Sequence, residues 1–197
     1  MSITRTVLAL AAVAVVAAGC SDDSTTHSTQ HSSTTASTTT AAARTDFNDA
    51  DVNFLQMMYP HHAQAVEMSK LVPNRTQNQQ LIALAAQIEQ AQAPEMRQIT
   101  DLLTSFGEPA PSAEGHGGHG MPGMMTEEQM SALEAASGAE FDRQWLRMMI
   151  EHHQGAVEMA KPELAQGVNP EAKRLATKII ADQEGEIATM RGMLGQS

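Results

Sequence analysis

The chain has 197 residues, a formal net charge of −11, 3% aromatic residues and 14 methionines. This acidity excludes nucleic acid as a partner, because phosphate backbones are bound by clustered lysine and arginine side chains. A single cysteine excludes internal disulfides and leaves histidine, methionine, aspartate and glutamate as metal ligands for the folded part of the chain.

Residues 1–19 have the pattern of a signal peptide. Arg5 precedes an apolar run from Val7 to Ala18, which is shorter than the roughly 20 residues that span a bilayer. The Ala-Ala-Gly-Cys sequence that follows resembles a lipobox, where bacterial signal peptidase cuts before a lipidated cysteine. We therefore predict an extracytoplasmic lipoprotein anchored to the cell membrane through Cys20. The alternative is an ordinary secretory signal followed by an incidental cysteine.

The segment at residues 20–45 is rich in serine and threonine and has almost no large apolar side chain. Such a composition does not bury enough apolar surface to offset the entropy lost on folding. We predict that it is a disordered tether, and that residues 46–197 form the folded domain.

The first part of this domain, residues 46–107, predicts two helices. Apolar residues recur at three- and four-residue spacing, and no alternating strand pattern is present, which indicates an all-α fold. The first helix is predicted to end before Pro73. The second is predicted to begin behind Asn74 and to end at Gly107, where glycine can adopt the positive φ of a helix terminus.

A loop and three further helices complete the predicted domain. The loop, residues 108–125, is rich in glycine, histidine and methionine, and a capping box then starts a short helix over residues 126–138. Residues 139–197 predict two long helices. The first of them should end before Pro162, and Asn169 should cap the second.

An internal repeat with an offset of 91 residues relates the two long halves of the domain. The segment FLQMMYPHHAQAVEMSK, beginning at Phe54, matches WLRMMIEHHQGAVEMAK, beginning at Trp145, at 10 of 17 positions. The helices that follow keep the offset, with Glu95 over Glu186. Each half is therefore a predicted helical hairpin, and two hairpins that cover each other's apolar faces form a four-helix bundle.

The repeated segment places soft-metal ligands on one side of a helix. At about 100° per residue, Met57, His61 and Met68 share one stripe, while His62 lies on a neighbouring face. The second copy repeats the stripe with Met148, His152 and Met159, and His153 replaces His62. Imidazole accepts several first-row metals, whereas thioether favours Cu(I). We predict that these residues bind copper, and another transition metal is the first alternative. The second alternative is that the methionines only pack in the core and bind no metal.

A second group of histidines and methionines lies in the loop between the hairpins. Its members are His116, His119, Met121, Met124 and Met125. The loop contains too many glycines to pack as core, so we expect these side chains to be exposed and to serve as auxiliary metal ligands. The alternative is a linker whose composition has no function.

These segments resemble a bacterial family catalogued as domain of unknown function 305. The most specific matches are Met148-Met-Ile-Glu-His-His-Gln-Gly-Ala-Val-Glu-Met159, Met121-Pro-Gly-Met-Met-Thr126 and Phe141-Asp142. The resemblance, over about residues 47–197, implies a ferritin-like bundle and copper binding as in some members. The copper ligands that it implies are Met57, Met58, His61, His62 and Met68 in the first copy, and Met148, Met149, His152, His153 and Met159 in the second.

Ferritin-like bundles also include di-iron oxidases, which need Glu-x-x-His motifs on facing helices. Here Met58 and Met149 stand three residues before the first histidine of each copy, so a thioether replaces the hard carboxylate. We therefore predict a non-catalytic lipoprotein that buffers copper, confers tolerance, or exchanges copper with a donor or acceptor protein. The remaining alternative is a structural or signalling lipoprotein with a methionine-rich core.

Overall fold

A computed structural model describes residues 44–112 and 120–195 of the protein. All regular elements in these two ranges are helical, which confirms the all-α prediction. They are α1 (Asp49–Leu71), a short 3-10 helix (Val72–Asn74), α2 (Gln79–Phe106), α3 (Glu127–Ala135), α4 (Gly138–Gln166) and α5 (Pro170–Leu194). The predicted signal peptide, Cys20, nearly all of the tether, His116 and His119 lie outside the described residues.

Local capping interactions explain where most of these helices begin. The Asn48 side chain accepts hydrogen bonds from N–H groups at the start of α1. The Asp51 carboxylate accepts the Asn48 N–H, which completes a capping box. Thr126 and Gln129 form the predicted box at α3. The Asn169 side chain caps α5 by accepting two N–H groups of its first turn. None of the described helices is long and apolar enough to cross a membrane.

Three predicted helix limits are wrong. The short helix ends at Ala135 and not at residue 138, because the backbone of Ala136 is extended. The second helix begins at Gln79, not behind Asn74, because the side chain of Asn78 caps it. The fourth helix continues through Pro162 to Gln166. Proline removes one helical hydrogen bond, but residues on both sides of this proline are buried in the bundle, and their packing keeps the helix continuous.

The first helices of the two hairpins, α1 and α4, pack against each other in opposite directions. Near the start of α4, the Trp145 indole donates a hydrogen bond to the Met68 carbonyl near the end of α1, at 3.0 Å. At the other end of the pair, the Asp51 carboxylate accepts the Val168 N–H just beyond α4, at 3.1 Å. The four long helices form a bundle in which the two repeated segments cross at the centre.

The buried apolar side chains form two clusters. The Phe54 cluster contains residues from the first half of α1 and the second half of α4, and the Trp145 cluster contains residues from the second half of α1 and the first half of α4. Among others, the first holds Phe54, Leu55, Met58, Leu103, Met159 and Ile179. The second holds Met68, Ile88, Met125, Leu133, Trp145, Met148 and Met149. The paired histidines are buried as well but belong to neither cluster.

Candidate metal centre

His61 of α1 and His152 of α4 meet at the crossing of the two repeated segments. Their ring centroids are 3.8 Å apart, and both side chains are fully buried. The two residues are separated by the repeat offset of 91, so the approximate two-fold axis of the duplication passes between them. The His61 Nε2–H donates to the Pro122 carbonyl at 3.1 Å. Neither ring nitrogen of His152 has a hydrogen-bond partner in the described part of the chain.

Burial keeps both of these imidazoles neutral. It lowers the pKa of His61 to about 3, and the neighbouring His62 adds to the shift. Burial and the facing His61 ring also hold the pKa of His152 well below its usual value. A neutral imidazole offers a lone pair to a metal without first losing a proton. Each ring of the pair therefore keeps a lone pair at neutral pH.

The second histidine of each copy is held by a glutamate from the following helix. His62 Nε2 lies 2.8 Å from Glu95 Oε2, and His153 Nε2 lies 2.7 Å from Glu186 Oε2. A carboxylate that accepts the Nε2–H fixes the imidazole tautomer and leaves the Nδ1 lone pair free. In both histidines Nδ1 has no partner among the described residues. Metal-binding histidines are commonly oriented in this way.

These two glutamates are functional candidates that the helical pattern did not predict. Their signal in the sequence is that Glu95 and Glu186 occupy equivalent positions of the repeat. The same holds for Gln92 and Gln183, which are equivalent and buried. Each glutamine is 2% exposed, and neither its oxygen nor its nitrogen has a partner in the parts of the chain described.

Together these side chains form a polar layer across the middle of the bundle. Its buried members are His61, His62, His152, His153, Gln92, Gln183 and Glu95, and Glu186, whose side chain is 18% exposed, lies at its edge. An unpartnered buried polar group costs about 1–3 kcal/mol, and native interiors leave few of them. The unpaired nitrogen and oxygen atoms of the layer are the groups with which water or a metal ion would interact.

The two glutamates of the layer differ in their electrostatic surroundings. Lys178 Nζ lies 2.9 Å from Glu95 Oε1. Burial acts to raise the pKa of Glu95, but the hydrogen bond from His62 and the Lys178 ammonium outweigh it and lower the pKa. The repeat equivalent of Lys178 is the neutral Gln87, and Glu186 has no lysine or arginine partner within the described ranges. The duplicated halves thus carry different charge.

Because α1 and α4 cross in opposite directions, methionines of one copy lie beside methionines of the other. Met57 and Met58 of the first copy lie in or against the Phe54 cluster with Met159 of the second. Met148 and Met149 lie in the Trp145 cluster with Met68 of the first copy. Along one helix, Met57 and Met68 are about 16 Å apart at about 1.5 Å per residue, so one ion cannot bind both. The structure therefore divides each ligand set implied by the repeat between two regions.

The end of the loop after Gly120 packs against the histidine pair, so the prediction that its methionines are exposed is wrong for this part. Met125 is 2% exposed and belongs to the Trp145 cluster, while Met121 and Met124 are half-buried. The Gln64 amide nitrogen donates to the Met125 carbonyl at 2.9 Å, and its oxygen accepts the Met125 N–H at 2.8 Å. The glycines of this region favour packing, because without a Cβ they allow the loop backbone to approach the backbone of α4 closely.

The loop backbone packs directly against Gly155 of α4. A Cβ placed there would lie 2.0 Å from the Pro122 carbonyl oxygen, and one placed at Gly123, whose φ is +75°, would lie 2.6 Å from the Glu151 carbonyl oxygen. The repeat equivalent of Gly155 is Gln64. The loop is therefore held by a glutamine of the first copy and accommodated by a glycine of the second.

We expect Gly155→Ala to destabilise the protein by about 1–3 kcal/mol, because the added methyl group must displace the loop backbone. The change should also loosen the contact between His61 and Pro122. Gly185→Ala is the matched control, since a Cβ there meets nothing within 4 Å. It should raise stability by about 0.5–1 kcal/mol, because alanine is the better helix former. Urea unfolding measures the free energy of unfolding of both variants. Equal changes in the two would contradict the close contact between Gly155 and the loop.

The donor set favours a mixed site over a carboxylate site. Within residues 44–112 and 120–195, no group of three or more His, Cys, Asp or Glu side chains is arranged to hold a metal ion. Met58 precedes His62 by four residues, and Met149 precedes His153 by four, so each fully buried thioether shares a helix face with its histidine. The residues present fit a metal that accepts two to four nitrogen and thioether ligands, as Cu(I) does.

Fold and site together define a duplicated helical-bundle protein with a buried histidine layer flanked by methionines. The sequence profile of a family described as "Domain of unknown function (DUF305)" matches residues 51–194. The chain belongs to the DUF305 family. A search of curated proteins found no match.

Several solved structures are similar to this chain. A DUF305 fragment from Deinococcus radiodurans is 38% identical with a TM-score of 0.70, and the match covers 76% of this chain and 98% of that one. A DUF305 protein from Streptomyces coelicolor, described as secreted, is 35% identical with a TM-score of 0.68, over 75% and 93% of the two chains. CopM in its Cu(II)-bound form is 34% identical with a TM-score of 0.66, over 74% and 96%. CopM structures with Cu(I) and with silver are also similar.

Proposed function

We propose that this protein binds Cu(I) in the centre of its bundle, through the histidine layer and the methionines beside it. The observation that carries the proposal is the fully buried His152, whose two ring nitrogens lack partners in the described structure, facing His61 at a ring distance of 3.8 Å. Burial keeps both imidazoles neutral, so that one nitrogen of each ring retains a lone pair for a metal. The similarity to CopM, which has been solved with copper and with silver bound, supports the proposal.

Thioether neighbours favour Cu(I) over harder cations. The first copy would supply Met58 together with His61 and His62, and the second copy would supply Met149 together with His152 and His153. When bound, copper would receive nitrogen and sulfur donors in a dry environment, which suits storage and transfer. Met58 and Met149 stand where a di-iron oxidase has the glutamates of its Glu-x-x-His motifs, and we infer that the protein has no catalytic activity of its own.

The first 45 residues support a location outside the cytoplasm. The predicted signal peptide and the lipobox-like sequence before Cys20 would give a lipoprotein on the outer side of the cell membrane. A structurally similar family protein from Streptomyces coelicolor is described as secreted. We propose that the bundle, on its tether, buffers copper there or exchanges it with a donor or acceptor protein.

A Cu(I) titration against a chromophoric chelator tests the proposal. The folded domain, residues 46–197, should show saturable binding, and a quadruple alanine variant at His61, His62, His152 and His153 should bind at least about 10-fold more weakly. Far-UV circular dichroism shows whether the variant remains folded. If it does not, a variant with the same four positions changed to glutamine, which is polar and closer in size, takes its place.

Met130→Leu is the matched control, because Met130 lies in α3 and outside every candidate ligand set. Leucine has nearly the volume of methionine, so this change should leave both folding and copper affinity intact. Equal weak binding by the parent domain and by the histidine variant would show that the layer is not a copper site.

A further inference from the structure

The duplicated methionines do not occupy equivalent surroundings, although the repeat makes them equivalent in sequence. Met57 of the first copy corresponds to Met148 of the second, and Met159 corresponds to Met68. The antiparallel crossing joins them into two cross-copy pairs. One pair is Met57 with Met159 and the other is Met148 with Met68. The pairs can be compared directly, because the same side chains occur in each.

The Met57 and Met159 pair lines a cavity of about 300 Å³ that opens to the surface. Met57 is half-buried, and Met159 is 9% exposed. Two acidic side chains, Glu158 and Glu163, also line this cavity. A second cavity, of about 460 Å³, contains Met57 together with Met121 of the loop. Met57 thus lines both cavities.

The Met148 and Met68 pair is closed. Met68 is fully buried, and Met148 is 7% exposed. Both belong to the Trp145 cluster, which the short helix α3 helps to form through Leu133. The Trp145 indole, which has no equivalent donor at Phe54 in the first copy, binds the Met68 carbonyl at 3.0 Å. Both thioethers of this pair therefore lie among packed apolar side chains.

The open cavity adjoins the histidine layer. Pro122 lines the cavity, and its carbonyl accepts the hydrogen bond from His61 Nε2 at 3.1 Å. A cation held by the two thioethers would therefore lie beside the loop residue that contacts the first histidine. Thioethers bind soft monovalent cations and discriminate against Mg²⁺ and Ca²⁺, which prefer oxygen ligands.

We propose that Met57 and Met159, one from each copy, form a capture site where a soft monovalent cation first binds, and that their equivalents Met148 and Met68 serve packing. The inference rests on the copper-binding function proposed above and assigns different tasks to the two halves of the duplication. Sequence alone treats the pairs as identical. The open cavity on one side and the Trp145 cluster on the other make them different.

Silver titration of the full chain with ¹³C-methyl-labelled methionine tests this proposal, because Ag(I) is a soft cation that needs no reductant. We expect the Met57 and Met159 methyl resonances to shift before one equivalent of Ag(I) is added, and those of Met68 and Met148 to stay in place at that stage. In stopped-flow measurements with Ag(I), the double variant Met57→Leu/Met159→Leu should take up the ion at least about 10-fold more slowly than the parent chain.

The matched control is Met68→Leu/Met148→Leu, which removes the same number of thioethers with nearly the same change of volume. It should retain the parent uptake rate. If Met57→Leu/Met159→Leu does not fold, the single variant Met57→Leu replaces it, because Met57 is only half-buried. Equal rates for the two double variants, or an earlier shift of the Met68 and Met148 resonances, would overturn the capture site. Absence of any Ag(I) and Cu(I) binding by the parent chain would instead overturn the proposed function.

Discussion

Glu95→Gln and Glu186→Gln are each expected to weaken Cu(I) binding by about 10- to 100-fold, the usual cost of losing a residue that orients a metal-binding histidine. Each glutamate accepts the Nε2–H of a fully buried histidine, at 2.8 Å for His62 and 2.7 Å for His153. Glutamine keeps the size of the side chain but removes the charge that makes Nδ1 a stronger donor. The loss should be larger for Glu186→Gln, because Lys178 already offsets the charge of Glu95.

Competition with a chromophoric Cu(I) chelator measures this effect. Glu184→Gln is the matched control, because Glu184 is an exposed residue of the same helix as Glu186. The Cu(I) affinity of this variant should stay within about 2-fold of the parent value, since exposed charges contribute little to binding. If Glu184→Gln and Glu186→Gln weaken binding equally, the effect is one of overall charge and the orienting role is wrong.

A second large effect is expected from a pair of carboxyl groups at the junction of α1, α4 and α5. The Asp51 carboxylate accepts the N–H groups of Asn48, Val168 and Asn169. Glu163 lies beside it and is 1% exposed. Burial, followed by the neighbouring Asp51, raises the pKa of Glu163 to about 8, although Lys173 opposes the shift. The folded protein therefore keeps Glu163 protonated at neutral pH.

This protonation makes the free energy of unfolding depend on pH. As pH rises from 4.5 toward about 8, the unfolded chain releases the Glu163 proton while the folded protein retains it, so stability is lost across this window. Glu163→Gln removes the titration. We expect the stability difference between the variant and the parent to increase in favour of the variant by about 2–4 kcal/mol over the window.

Urea unfolding at a series of pH values measures this difference. The buried histidines His61 and His152 act in the opposite direction, because their lowered pKa values cost stability as pH falls below 6.5. They are present in both proteins and cancel in the comparison. Glu158→Gln, on the exposed face of the same helix, should give a flat difference. A flat difference for Glu163→Gln as well would show that Glu163 is ionised in the folded protein.

Much of the fold follows from local signals. Thr126 and Asn169 begin helices because their side chains satisfy N–H groups that no helical carbonyl can reach, and this chemistry is visible in the sequence. Helix limits that depend on packing were harder to predict. Pro162 was expected to end α4, but buried neighbours on both sides keep the helix continuous.

The sequence by itself determined the helical class, the duplication and the residue types available for metal binding, because these depend on periodicity and composition. Only the tertiary structure decided which of those residues share a site. Helical spacing put Met57, His61 and Met68 on one stripe, but antiparallel packing of α1 against α4 pairs Met57 with Met159 and places His61 against His152. A stripe describes one helix, whereas a buried site needs side chains from several, and the direction in which the helices cross selects them.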